Sequence, residues 1–218
     1  MSLTKGLVLA ERPHIGNTAP TTFEDTSRFG NDGVETAITK VQLPSGLWVN
    51  SFNGTSSVIS CGADASLFNF SVVTIVAWSK ASELEGTSNR PIWCFFKDAV
   101  NRIYLTNPTN SSTSSVIQGK INNVVASLQV IATIDLNWHQ SICVLNGNQW
   151  SVYYDGGLVA AAEEPDLATF VGHPTFYIGR HFTDYNLGYS GSGSLFNRAL
   201  SPQEIADLFE SERHLFGV

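Results

Sequence analysis

The sequence predicts an all-β domain, built as a two-sheet sandwich or barrel, with one helix near its C-terminal end. Strand-like apolar segments recur at short intervals, and Gly, Asn and Asp stand at the turns between them. The segment Phe70–Lys80 is apolar on both faces, which is typical of a central sandwich strand. Only the stretch around 201–209 carries strong helix signals.

Composition limits the domain count and the classes of partner. A chain of 218 residues fits one domain, 1–218, and 43% hydrophobic against 14% charged residues is enough for a large core. The formal net charge of −7 disfavours nucleic-acid backbones and anionic membranes as partners. No apolar run approaches about 18 residues, so we expect no membrane insertion. The N-terminal residues Met1–Gly6 lack a signal-peptide core.

The three cysteines, Cys61, Cys94 and Cys143, are far apart in the sequence and surrounded by apolar residues. None belongs to a Cys-x-x-Cys pair, which argues against a zinc site. We predict buried free thiols, and one disulfide with one spare thiol is the alternative.

The strands follow from apolar runs bounded by turn residues. Asn53-Gly54 marks a tight hairpin turn, because both residues accept positive φ. The predicted strands are 6–10, 47–52, 58–61, 70–80, 91–97, 102–106, two weak strands within 116–134, 138–145, 150–154, 158–162, 175–180 and a last strand that starts in the Gly/Ser-rich stretch 188–194. Loops are predicted at 11–24, 34–46 and 181–185.

The helix begins at Ser201, a favourable N-cap, with Pro202 at its first position. Glu204 completes a capping box, and Leu200 and Ile205 occupy the positions of a hydrophobic staple. One apolar face, formed by Ile205, Leu208 and Phe209, can dock on the β structure.

Six segments in order also resemble a known family. They are 25–33, 52–57, 138–139, 152–156, 177–180 and 197–205. In these segments the chain resembles the LamG-like jelly rolls of the concanavalin A-like lectin/glucanase superfamily. The resemblance implies an antiparallel two-sheet jelly-roll sandwich but no single activity, because members bind glycans or proteins, accompany catalytic domains or decorate virions. The tail 209–216 is similar to the endings of phage-encoded members. The family resemblance as a whole implies an extracellular or virion-surface location.

The resemblance also implies calcium at the sandwich edge. Calcium takes six to eight oxygen ligands, and Asp25, Asn31 and Asp32 offer side-chain oxygens from one loop. Gly191–Ser194 stands where the family often has an acidic pair. The alternative is that Asp25 and Asp32 cap turns by accepting hydrogen bonds from nearby backbone N–H groups.

Hydrolysis is not predicted. Glucanases of the superfamily carry Glu-x-Asp-x-x-Glu on a strand, whereas Glu164-Pro-Asp166 is followed by Thr169 at the last position. Pro165 also disfavours a central strand, and the chain has no Gly-x-Ser-x-Gly motif.

Sugar binding uses aromatic faces and hydrogen-bonding side chains near strand ends. The candidates are Trp93, Tyr104, Arg180, His181 and Tyr185, with core packing as the alternative for each aromatic residue. The other tryptophans in apolar strands, Trp48, Trp78 and Trp138, are predicted to be core, and His139 is predicted to be structural.

The first functional hypothesis is a non-catalytic recognition module that binds carbohydrate. The second is a structural, adhesion or decoration subunit, for example of a phage virion, that acts through contacts with another protein.

Overall fold

The computed structural model describes residues 4–11, 14–61, 71–83, 90–98, 101–107, 115–121, 124–130, 135–163 and 175–218. These residues form two antiparallel sheets, a short two-stranded ribbon and one helix, which confirms the predicted jelly-roll sandwich. The elements are β1 (Leu7–Ala10), β2 (His14–Ile15), β3 (Gly33–Thr36), β4 (Thr39–Gln42), β5 (Leu47–Asn53), β6 (Val58–Cys61), β7 (Val72–Ala81), β8 (Arg90–Asp98), β9 (Asn101–Asn107), β10 (Ser115–Ile121), β11 (Val124–Val130), β12 (His139–Asn146), β13 (Gln149–Tyr154), β14 (Gly157–Glu163), β15 (Thr175–Ile178), β16 (Arg180–His181), β17 (Asp184–Tyr185), β18 (Leu187–Phe196) and α1 (Pro202–Phe216).

The first sheet has the order β14-β13-β12-β7-β18-β5-β2, with β1 beside β18 and β4 beside β5. The second sheet has the order β11-β10-β9-β8-β15-β6-β3. The ribbon β16–β17 stands apart from both sheets and packs against β8. Non-consecutive strands are neighbours in both sheets, so the chain crosses between the layers repeatedly.

The central strand β7 is buried on both faces, as its composition predicts. Val73, Ile75 and Ala77 join the core between the sheets. Because side chains alternate along a strand, Val76 and Trp78 point to the opposite face, where they belong to separate apolar clusters with α1.

The helix α1 covers part of this outer face. Both hydrogen bonds of the capping box are present, between Ser201 and Glu204. Phe216 stacks on Trp78 with ring centroids 4.2 Å apart, and Trp78 Nε1 donates to Glu212 Oε2 at 2.6 Å. Burial raises the pKa of Glu212, while the hydrogen bonds from Trp78 and Gln140 oppose that rise. Among the described residues no helix is long and apolar enough to cross a membrane.

The Gly/Ser-rich stretch lies inside β18, as predicted. A Cβ atom on Gly193 would lie 2.0 Å from Trp93 Cζ2, and one on Gly191 would lie 2.3 Å from Phe216 Cε1. Since real Cβ contacts are never that short, large rings occupy the space that side chains would fill. These glycines therefore permit close packing on both faces of β18.

The cysteine prediction is confirmed, and parts of the element prediction are wrong. Cys61, Cys94 and Cys143 are buried and free, and burial raises the pKa of each thiol. Trp48 was assigned to the core but is only partly buried. The segments predicted as loops contain the short strands β2, β3, β4, β16 and β17.

Replacing Ser201 with Ala should lower the free energy of unfolding by about 1 kcal/mol, because the backbone N–H of Glu204 loses its acceptor. Chemical denaturation measures the change. Ser211→Ala is the matched control, since Ser211 is exposed inside the same helix, and its effect should stay within about 0.5 kcal/mol. Equal effects of the two substitutions would contradict the capping role.

Candidate functional site

The ribbon β16–β17 presents an aromatic surface on the outer side of the second sheet. In β15, Phe176 and Ile178 point into the core, so Tyr177 points outward. In β8, Phe96 lies directly opposite Thr175 and faces the same way as Tyr177. The ribbon then returns the chain beside these two side chains, because Arg180 pairs with Tyr185 across it.

We call Phe96, Tyr177, Arg180, Phe182 and Tyr185 the aromatic cluster. The ring centroid of Phe96 lies 6.3 Å from that of Tyr177 and 6.1 Å from that of Phe182. The guanidinium carbon of Arg180 lies 5.5 Å from the ring centroids of both Tyr177 and Tyr185, within cation–π range. Two of the four aromatic rings, those of Tyr177 and Tyr185, therefore lie beside the Arg180 cation.

Phe182 is the most exposed ring of the cluster. Its side chain is 47% exposed, and its backbone has φ 52°, a left-handed conformation that is uncommon for a bulky residue. The Nε of Arg180 donates to the Phe182 carbonyl at 3.1 Å and so holds the turn. A pocket of about 240 Å³ opens here, lined by Phe96, Tyr177, Arg180, Phe182 and Thr183.

His181 and Tyr104, predicted to contact sugar, lie beneath the cluster instead. They are 3% and 2% exposed, and their rings stack with centroids 3.9 Å apart. Burial, together with the nearby charge of Arg102, lowers the pKa of His181 to about 3, so this imidazole is neutral at physiological pH. The two rings support the ribbon and are closed to a surface ligand.

Trp93 is also unavailable for surface binding. It lies opposite Ile178 and points into the core, where its ring meets Phe176 edge-on at 5.1 Å. Of the five predicted residues, Arg180 and Tyr185 therefore lie at one surface, and their role in binding stays a prediction. Sequence reasoning missed Phe96, Tyr177 and Phe182. Strand alternation was the available signal for Tyr177, since it separates two apolar residues in β15.

The loop predicted to hold calcium is a hydrogen-bonded turn. Each Asp25 carboxylate oxygen accepts two hydrogen bonds: Oδ1 from the N–H groups of Ala10 and Ser27, and Oδ2 from Ser27 Oγ and the Asn31 N–H. Asp32 Oδ1 accepts from the Asp25 N–H at 2.8 Å. A cation at Asp25 would have to compete with these donors. Within the described part of the chain, no group of three or more His, Cys, Asp or Glu is placed to hold a metal ion. Calcium at this loop stays a prediction.

Asp25→Ala should destabilise the protein by about 2 kcal/mol or more, because it leaves several buried donors unpaired. Glu24→Ala, at the exposed neighbouring acid, should change stability by less than about 0.5 kcal/mol. Melting temperatures measured with added calcium and with EDTA test whether the loop binds calcium. If calcium raises the melting temperature of the wild type but not of Asp25→Ala, the loop binds it; a wild type without a calcium response contradicts the prediction.

His139 lies between two carboxylates. Nδ1 is 2.7 Å from Asp155 Oδ2, and Nε2 is 2.9 Å from Asp135 Oδ1. Burial alone would lower the pKa of His139, but its hydrogen bonds to Asp155 and Asp135 outweigh burial and raise the pKa above 6.5. Ser141 lies nearby, but neither ring nitrogen is free to accept its proton. The geometry supports a structural role for His139.

The candidate acids Glu164 and Asp166 lie outside the described residues.

His139 should make the stability of the protein pH-dependent. The folded-state pKa is raised, so the protonated ring stabilises the fold below the unfolded pKa, and this contribution disappears as the pH rises through the folded pKa. The difference in unfolding free energy between wild type and His139→Gln should therefore be largest below the unfolded-state pKa and should shrink as the pH rises through the folded-state pKa. In an Asp155→Asn background the pH dependence should be weaker. A difference that is constant with pH would contradict the ion pair.

The comparisons with known proteins agree with this architecture. Residues 53–206 match the Laminin_G_3 family model, described as the concanavalin A-like lectin/glucanases superfamily. The chain therefore belongs to this superfamily. No curated protein matches it at the level of sequence.

Among solved structures, the chain is similar to domain 4 of AbnA, a GH43 extracellular arabinanase from Geobacillus stearothermophilus, in complex with arabinotriose. The TM-score is 0.72 at 16% identity, and the match covers 93% of this chain and 97% of that one. It is also similar to botulinum neurotoxin type C, whose cell entry is described as dependent on two ganglioside molecules (TM-score 0.74, 12% identity, 96% and 52% covered). A third similar structure is the binding domain of botulinum neurotoxin DC in complex with rat synaptotagmin II. Its TM-score is 0.72 at 14% identity, and the match covers 96% of this chain and 52% of that one.

The chain spans about half the length of the toxin chains and nearly all of the arabinanase domain. At these identities the similarity establishes the fold. The descriptions of these neighbours name a complex with arabinotriose, an interaction with two ganglioside molecules and a complex with synaptotagmin II.

Proposed function

We propose that this protein is a non-catalytic recognition module that binds carbohydrate through the aromatic cluster. The observation that carries the proposal is the group of neighbouring aromatic rings at this surface, two of which lie beside Arg180, because aromatic faces stack on the apolar C–H faces of sugars. Of the three guanidinium nitrogens of Arg180, Nε is the one that donates a hydrogen bond within the described part of the chain. Its terminal nitrogens can therefore donate to sugar hydroxyls.

The anchoring of the rings supports this proposal. Tyr177 and Phe96 project from paired strands whose alternate residues are fixed in the core, and the stacked pair beneath supports the ribbon. A rigid platform loses little side-chain entropy on binding, which favours affinity. Among the neighbours, the arabinanase domain lends most support, since the match covers almost all of a domain whose complex contains an oligosaccharide.

The absence of catalysis is part of the proposal. The His139 ring is held by two carboxylates, so neither of its nitrogens is free to take a proton from the nearby Ser141.

A second candidate function is a structural, adhesion or decoration subunit, as on a phage virion, that contacts another protein. The favouring observation is a groove of about 380 Å³ beside β7 and β18, lined by Val41, Leu43, Leu136, Trp138 and Tyr189 together with Lys80, Ala81 and Ser82. Apolar and aromatic linings are typical of protein interfaces. Either function fits an extracellular or virion-surface location. A symmetric oligomer in a solution mass measurement would favour this second role.

Phe182→Ala should weaken glycan binding about tenfold or more, because it removes the most exposed ring of the cluster. A glycan array, followed by titration calorimetry with arabinotriose and with any further ligand the array finds, measures the loss. Arg180→Gln should also weaken binding.

Leu158→Ala is the matched control for this experiment, since Leu158 is 58% exposed on β14 of the other sheet. Its affinity should equal that of the wild type. A wild type that binds no glycan, or a Phe182→Ala variant with unchanged affinity, would overturn the proposal; EDTA arms separate any contribution from calcium.

A further inference from the structure

A second pocket lies at the edge of the sandwich, away from the aromatic cluster. It has a volume of about 410 Å³ and shares no lining residue with the pocket at Phe182. In β5, Phe52 faces the core between the sheets, so Trp48 and Asn50 point to the same side near the strand's other end. The remaining walls are Glu11, His14, Lys40 and the segment 18–26 except Asp25.

A chain of hydrogen bonds crosses the floor of this pocket. Lys40 Nζ bonds Glu35 Oε1 at 2.5 Å and Asn50 Oδ1 at 2.6 Å. Asn50 Nδ2 in turn donates to Glu11 Oε1 at 2.7 Å. Each member fixes the next, so the carboxyl group of Glu11 has one defined orientation.

The chain ends at an unsatisfied atom. Glu11 Oε2 is buried, and within the described part of the protein it has no hydrogen-bond partner. Leaving a buried polar atom unpaired is unfavourable by about 1–3 kcal/mol, and native structures rarely do so without a functional reason. Glu11 is one of the residues that line the pocket, so this unsatisfied carboxyl group lies at the pocket wall.

The surroundings indicate what that group is. Burial raises the pKa of Glu11 to about 8, while Asn50 and Lys40 act in the opposite direction, so both protonation states occur near neutral pH. A hydroxyl group suits both states, because it donates to a carboxylate and accepts from a carboxylic acid. An anion would meet Glu11 and Glu24, and a cation would meet Lys40.

The rest of the lining is consistent with a ligand rich in hydroxyl groups. Trp48 contributes an indole whose Nε1 donates to the Gly16 carbonyl at 2.8 Å, which fixes the ring at the wall. The pocket lining also includes four threonines, Thr18, Thr21, Thr22 and Thr26, the last of which donates its hydroxyl to the Ala10 carbonyl. An aromatic ring beside several hydrogen-bonding groups matches the two kinds of surface on a sugar ring.

We infer that this edge pocket is a second ligand site, which binds a single sugar residue or a similar polyol through Glu11 Oε2, unpaired among the described residues, and the ring of Trp48. It does not depend on the aromatic cluster and would give the domain two separate contacts for carbohydrate.

The test is an NMR titration of the full chain with arabinose, galactose, glucose and arabinotriose as probes. The reporters are the indole N–H of Trp48, assigned with Trp48→Phe, and the side-chain amide of Asn50. Both signals should shift with at least one probe. Glu11→Ala should weaken that response about tenfold, whereas Glu11→Gln, which keeps a donor and an acceptor, should retain most of it.

The variants separate this inference from the proposed function. Phe182→Ala should leave the shifts of Trp48 and Asn50 unchanged, and Glu11→Ala should leave binding at the aromatic cluster unchanged. If none of the four probes shifts the reporters, or if Glu11→Ala responds like the wild type, the edge pocket is not a sugar site. If the signals of Trp48 and Asn50 shift but no probe binds at the aromatic cluster, the result supports the edge-pocket site and contradicts the proposed function. A Glu11→Ala variant with a lower melting temperature remains usable below that temperature, and Trp48→Phe gives an independent measure of affinity.

Discussion

The burial of β7 on both faces is the constraint on which the rest of the structure depends. One face of this strand forms the core between the two sheets, and the other packs against α1. A sandwich strand normally leaves its outer face to solvent, so a strand with Val76 and Trp78 on its outer face requires a cover. The capping box at Ser201 and the stacking of Phe216 on Trp78 place the helix where that cover is needed.

Because only the first sheet is covered by the helix, the two sheets differ in how much of their outer face a ligand can reach. The first sheet has part of its outer face closed by the helix, whereas the second sheet carries the ribbon β16–β17 on its outer side. The ribbon buries His181 against Tyr104 and exposes Phe182 beside Arg180. A short insertion between β15 and β18 thus changes a plain sheet face into an aromatic surface.

The sequence predicted the layers well and the site only in part. Strong periodic signals, such as 70–80 and the helix after Ser201, gave correct elements because burial determines them locally. The short strands β3 and β4 were missed, since they depend on pairing with β6 and β5 and are not strongly apolar. Trp93 and Phe96 stand three residues apart in one strand, yet only the observed register shows that the first points inward and the second outward. Glu11 gave no signal in the sequence, because the lack of a partner for its Oε2 among the described residues results from tertiary packing.

The glycines of β18 have a consequence for how the molecule unfolds. Trp93 approaches the backbone at Gly193, and Phe216 approaches it at Gly191, so only the thickness of a peptide chain separates the inner core from the helix layer at this point. The two apolar layers consequently cannot loosen independently: withdrawing either ring leaves a void along the same strand. Helix and sandwich should melt together as one cooperative unit, although they are distinct layers.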